Sequence, residues 1–371
     1  MRNLVYAWAT IAMRPTHALL LTLALSPLAS AQAVDCKLAR TPRDHALCSD
    51  KNLIALNTSI AASLQSLHDQ LSPQSAALVD ADQREWSQWV DLVCPAHAKG
   101  PLADQTRCLF TQYSARARDL NQTTHVGAAV IYTRAHFLYK PGDQPNQPSS
   151  NPTYLGFGYG SLRWPQIDSK SALTPTDTTW NETIQRQAAK LGAGAFNAGE
   201  NVTFDTAVNS LEAIEGGYTL DAANGRLIEV TLLTSSYVWV PSASILTIRS
   251  SFLWWLDRNR QLIAADVFLP ASAWQEYLVS VATARLQENA RLKSLLRPDA
   301  QLEQALRQAV PQPTNWTLSQ NGLTLTFLQG AVAANSAGQP HVFVSWEDLK
   351  PFLQPTLDPA TLPARLPKPA Q

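Results

Sequence analysis

A chain of 371 residues has room for two domains, each large enough to bury its own core. Its 29 basic residues balance its 29 acidic ones, so charge makes no case for nucleic acid or an anionic membrane as partner. The seven histidines are scattered, with no H-E-x-x-H and no His/Cys cluster, and neither a metal nor a cofactor is expected.

Arg14 and His17 precede the apolar run from Ala18 to Leu25, and Ala29-Ser30-Ala31 or Ala31-Gln32-Ala33 supplies a small-residue cleavage pattern. Residues 1–33 are therefore expected to be a signal peptide, with Met1 or Met13 as its start. Pro15 and Pro27 bracket only eleven residues, fewer than the roughly 20 that a spanning helix needs. The expected location is periplasmic or secreted, with no stable membrane span after cleavage. In such a compartment an even cysteine count is read as disulfides.

From Asn52 to Leu71 the apolar residues Leu53, Leu56, Ile60, Leu64, Leu67 and Leu71 recur at steps of three and four, which predicts an amphipathic helix. Ser72-Pro73 reads as an N-cap followed by proline at the first helical position. The helix that follows carries Val79, Gln83, Trp86, Val90 and Val93 on one stripe, and Asp104–Leu120 repeats the pattern with Leu109, Tyr113, Ala117 and Leu120. Residues 34–122 are expected to form a small antiparallel bundle. Cys36, Cys48, Cys94 and Cys108 allow three pairings. Local pairing, Cys36–Cys48 and Cys94–Cys108, is favoured because each bridge closes a short loop at a helix end, worth about 3 kcal/mol of loop entropy. The spacings match neither a C-x-x-C redox motif nor a zinc knuckle.

Asp35-Cys36, Ala39, Thr41-Pro42, Leu47-Cys48, Asp50 and Leu53, followed by Gln83-Arg84-x-Trp86, Asp91, Cys94, Cys108 and Tyr113, resemble the N-terminal domain of the LprI lysozyme-inhibitor family. The resemblance covers about ninety residues. It implies an exported helical domain that in some members inhibits lysozyme. Trp86 is expected in the core. Gln83 and Arg84 either buttress the bundle by hydrogen bonding or form part of a binding face.

Residues 123–355 are expected to form a second domain, with a Pro-rich loop at 141–152 and a Pro-rich tail at 356–371. Thr124–Tyr139 is strand-like and Trp180–Leu191 helical. Tyr218–Leu220 and Leu227–Trp239 are strands about the turn Ala223-Asn224-Gly225-Arg226. Ile245–Leu256 is another strand, and Asp257-Arg258-Asn259-Arg260 turns the chain into Leu262–Phe268. Helices are expected at Ala273–Leu296 and Pro298–Ala309, then strands at Trp316–Ser319, Leu323–Leu328 and His341–Trp346. Strands and helices in no strict alternation predict an α+β class: a disulfide-stapled helical bundle, then an α+β domain with a largely antiparallel sheet. Trp164-Pro165-Gln166-Ile167, Asn181 with Ile184, Asn224–Val230, Asp257–Phe268 and above all Asn315–Leu353 resemble the extracellular domain of the lysozyme-sensing anti-sigma factor RsiV, a domain also found beside peptidoglycan deacetylases.

No motif for catalysis emerges. Gly158-Tyr159-Gly160-Ser161-Leu162 lacks the second glycine of a nucleophile elbow, and Gly156-x-Gly158-x-Gly160 is followed by no Walker lysine, so it reads as strand or turn glycine. Between Leu191 and Gly225 stand five acids (Glu200, Asp205, Glu212, Glu215, Asp221) and no Lys or Arg. They are read as a solvated loop face, or else as an acidic surface that steers a cationic partner, with Tyr237 and Trp239 as aromatic anchors. The candidate partner-binding residues are thus Gln83, Arg84, Glu212, Glu215, Tyr237 and Trp239. The expected function is a non-enzymatic envelope protein that binds a lysozyme-like muramidase, with its inhibition as a further expectation. The alternative is an accessory module that binds peptidoglycan or another envelope protein without affecting muramidases.

Overall fold

A computed structural model describes residues 34–94, 105–142, 157–170, 173–194, 203–208, 212–238 and 245–366. The expected signal peptide, most of the Pro-rich loop, Gly156, Glu200 and Trp239 lie outside these residues.

The first helix, α1 (Pro42–Ser49), is opened by Thr41. The Thr41 hydroxyl accepts from the Asp44 N–H at 3.1 Å, and the Asp44 carboxylate accepts from the Thr41 N–H at 3.0 Å, a capping box. Apolar periodicity does not announce this helix, because Leu47 is its one buried residue. Helices α2 (Lys51–Gln70), α3 (Pro73–Val93) and α4 (Gln105–Asn121) follow the three predicted stripes. Ser72 caps α3, its hydroxyl accepting from the Ser75 N–H at 3.3 Å. The disulfides join Cys36 to Cys48 and Cys94 to Cys108, the local pairing. Trp86 is buried and meets Tyr113 edge to face at 4.9 Å.

Strands β1 (Thr124–Val126), β2 (Ala129–Pro141), β3 (Phe157–Asp168), β4 (Glu212–Ala223), β5 (Leu227–Val238), β6 (Ile245–Trp255) and β7 (Arg260–Gln261) form a sheet in sequence order. All its neighbours are antiparallel except β3 and β4, which run parallel and pair only from Tyr159↔Ala213 to Ser161↔Glu215. Asn224 makes the predicted hairpin turn, its side-chain oxygen accepting from the N–H groups of Arg226 and Leu227 at 2.8 and 2.9 Å. Helices α5 (Pro175–Gly194) and α6 (Phe204–Ala207) cover one face of the sheet, over Leu162, Trp164, Ile214, Val230 and Phe252. On the opposite face, α2–α4 share a core with Tyr132, Ala135, Phe137 and Phe157.

The remaining chain builds a third core. Helices α7 (Ala264–Val267), α8 (Trp274–Glu288) and α9 (Asp299–Ala309) are followed by a small antiparallel sheet of β8 (Trp316–Ser319), β9 (Gly322–Thr326) and β10 (His341–Ser345), then α10 (Trp346–Leu349). Residues from these elements pack with Leu227, Leu253 and Trp255 of the large sheet. The fold is α+β with a mostly antiparallel sheet behind a disulfide-stapled helical region.

Three details differ from the sequence reading. The helix expected to reach Leu296 ends at Glu288, because the Asn289 side-chain oxygen accepts from the N–H groups of Arg291 and Leu292 at 3.1 and 3.3 Å and diverts the backbone. Within Leu262–Phe268 the chain makes the helical turn α7, held by the Asp266 carboxylate on the Ile263 N–H at 3.0 Å. Residues 356–366 fold back onto the body. Leu357 and Leu362 join the third core, Arg365 pairs with Ala222, and the Leu366 N–H donates to the Asp221 carbonyl at 2.9 Å.

Candidate functional site

Residues opposite one another across a ladder point to the same face. Tyr159, Ala213 and Tyr237 therefore form one row across β3, β4 and β5, and Ser161, Glu215 and Ser235 form the next. Tyr159 packs against the core of the helical layer. Leu227, an even number of residues before Tyr237 on β5, packs into the third core. Both layers thus sit on the same face of the sheet. Over β4, between α4 and the strands, a cleft of about 300 Å³ remains.

One wall is α4, which contributes Thr111, Gln112, Ala115, Arg118, Asp119 and Gln122. The floor is Ser161 and Arg163 from β3 with Glu215, Gly217 and Tyr218 from β4. Arg163 fastens wall to floor, its Nε donating to Asp119 Oδ2 at 2.5 Å and its Nη1 to Ser161 Oγ at 3.2 Å. Arg118 and Glu215 are exposed. A side-chain carbon built on Gly217 would meet nothing within 4 Å, so the floor is open above it. The lining is charge-balanced, with two guanidinium groups and two carboxylates. It offers hydrogen bonds from amide, hydroxyl and charged groups, and holds no histidine or cysteine.

Among the residues singled out from sequence, Glu215 and Tyr237 come together in adjacent rows of this face. Tyr237 is partly buried, and burial with the neighbouring Glu215 carboxylate pushes its phenol up. Glu212 begins β4. Gln83 and Arg84 lie elsewhere, on α3. Gln83 is buried and accepts from Arg116 Nε at 2.8 Å, so it buttresses the helical layer, whereas Arg84 is exposed. Burial pulls the Arg116 guanidinium down to about 10, against the pull of Asp119 and Asp82.

The other acids of the run are dispersed. Asp205 pairs with His136 at 3.0 Å, and Asp221 turns inward to accept from the Thr231 hydroxyl. Asp119, Arg163 and Gly217 escaped the sequence reading, since a charge on a polar helix face and a strand glycine give no signal alone. Glu229 escaped it too: it is fully buried, and burial pushes its carboxyl up to about 7, with Arg365 pulling it back.

Residues 265–347 carry a DUF3298 domain. That family is described as a protein of unknown function. The DUF3298 segment runs from α7 into α10 and makes up most of the third core, so neither the cleft lining nor the disulfides fall within it. The chain is similar to a DUF3298 family member from Bacteroides fragilis NCTC 9343, with 9% identity over 62% of this chain and 96% of that one, at a TM-score of 0.42. It is similar also to a DUF3298 family protein from Pseudomonas aeruginosa PAO1, with 12% identity over 61% and 94% of the two chains, at a TM-score of 0.38. No curated protein matches.

Proposed function

We propose that the chain is an exported, non-enzymatic protein of the bacterial cell envelope that binds a lysozyme-like muramidase. The observation that carries this reading is on β4 and β5, where the exposed Glu215 carboxylate stands one row from the partly buried Tyr237 on the sheet face that both flanking layers share. An acid beside a half-buried aromatic suits a cationic protein surface, with charge steering the approach and the ring supplying contact area. The two short-range disulfides fit an oxidising compartment. The LprI-like and RsiV-like sequence features both point toward lysozyme.

The test is calorimetric titration of the oxidised chain from Val34 into c-type and g-type lysozymes, with muramidase activity read in parallel. Binding that weakens with salt and is lost in Glu215→Lys is the expected result. Loss of activity on binding would make the protein an inhibitor, and retained activity a sensor or scavenger. If neither lysozyme binds, the proposal is wrong.

A further inference from the structure

Residues 356–366 cross the molecule as a strap, and its two parts are held differently. The first is anchored by apolar burial, with Leu357 and Leu362 in the third core. Thr361 adds polar ties there, its carbonyl and hydroxyl accepting from Asn224 Nδ2 at 3.2 Å and Arg226 Nη1 at 3.0 Å. Residues 364–366, by contrast, bury no side chain. They are held by polar contacts to β4 and β5. Arg365 bridges to Ala222, the Leu366 N–H donates to the Asp221 carbonyl at 2.9 Å, and Arg365 Nη2 donates to Glu229 Oε1 at 3.3 Å. A chain end without apolar anchors opens locally, ahead of the body it rests on.

Glu229, beneath Arg365, is fully buried, and its Oε2 accepts no hydrogen bond among the described residues. The groups that face this carboxyl are Arg365 from the strap, Asp221 from β4, Thr317 from β8 and Arg249 from β6. Burial outweighs the pull of the two guanidinium groups, Asp221 adds to it, and the carboxyl is raised from 4.5 to about 7. We infer that residues 364–366 are a pH-dependent latch, which seals Glu229 while the acid is protonated and lifts from β4 as it ionises, admitting water to the carboxylate. With the latch open the carboxyl returns to its ordinary value, so the open form holds fewer protons between about 4.5 and about 7. Raising the pH through that window therefore favours opening, and lowering it favours closure. The latch is independent of the muramidase reading, and its test contains no partner.

The test is amide hydrogen exchange of the oxidised chain, followed residue by residue and corrected for the intrinsic pH dependence of exchange, in the parent and in Glu229→Gln. The variant keeps the shape and an acceptor for Arg365 but cannot ionise. The Leu366 N–H is expected to be less protected than the amides of β5 at every pH. Between about pH 5 and about pH 8 its protection should fall about ten-fold or more in the parent and stay level in the variant. The Glu229 carboxyl carbon, followed by NMR in the parent alone, should titrate well above its ordinary range, a measurement that does not depend on the variant folding. Leu366 protection equal to that of β5 overturns the latch, because the strap would then open only with the whole molecule. A level profile in the parent, or an equal fall in both proteins, overturns it as well, and so does titration of Glu229 near 4.5.

Discussion

Asp82 takes three hydrogen bonds at once. Arg134 grips it bidentately, Nε to Oδ2 at 2.7 Å and Nη2 to Oδ1 at 2.9 Å, and the Ala135 N–H adds a third at 3.0 Å. The pair ties α3 to β2, and both partners are largely shielded from water, so its loss would strand a charge in the interface. His136, two residues along β2, makes a more exposed clasp, with Nδ1 on Glu85 at 2.7 Å and Nε2 on Asp205 at 3.0 Å. The Glu85 hydrogen bond, opposed by burial and helped by Asp205, holds the imidazole above its usual value. A raised folded-state value means that this stabilisation is complete below the unfolded value of about 6.5 and is lost as pH rises through the folded one. The burial-raised carboxyl of Glu229 slopes the same way, between its ordinary range near 4.5 and about 7. Denaturant titrations at several pH values should therefore show a stability advantage over His136→Gln that shrinks as pH rises above about 6.5, the Glu229 slope cancelling between the two proteins. Parallel pH profiles would rule the clasp out. None of these three residues carries a local signal. Each reads as a polar residue in a helix or strand, and only the partner from another element reveals its role.

Helix α3 shows how an element legible in sequence acquires a partner that is not. Ser72-Pro73 announces its start, and Ser72 is the cap. The cap is itself held by Asp168, fully buried at the far end of β3, which accepts from the Ser72 N–H at 2.6 Å and from its hydroxyl at 3.0 Å. Removing the carboxylate leaves a partly buried N–H without its acceptor and frees the cap. Asp168→Ala should lower stability by about 1–3 kcal/mol, and Asp168→Asn by less because its amide oxygen still accepts. Equal stability of Asp168→Ala and the parent in urea would refute this. The C-terminal helices carry the opposite lesson. The apolar positions from Ala273 to Leu296 sustain a helical reading, yet Asn289 breaks it with two backbone hydrogen bonds of its own. Hydrophobic period reports which face is buried and cannot weigh a local side-chain bond against one more helical turn.

At the scale of the whole molecule, the helical layer and the sheet are joined by a shared interior. Trp89 packs on Phe137 at 5.2 Å and Tyr159 at 5.9 Å, and its ring N–H donates to the Leu138 carbonyl at 2.9 Å. An isolated segment 34–122, with its disulfides intact, should therefore bind a hydrophobic dye and unfold at lower denaturant than the same helices in the full chain. Equal midpoints would show a self-sufficient bundle. The sequence by itself determined the class, the three long helices, the hairpin at Asn224 and the pull toward local cysteine pairing. These depend on periodicity, capping and turn chemistry, which act over a few residues. Only the tertiary structure decided that α2–α4 and the C-terminal core share one face of the sheet, that β3 and β4 part after Ser161, and that Arg163 meets Asp119 beside Glu215 and Gly217. These residues are far apart in the chain and belong to different elements. Their meeting is set by how whole faces pack, and no short stretch of sequence encodes that.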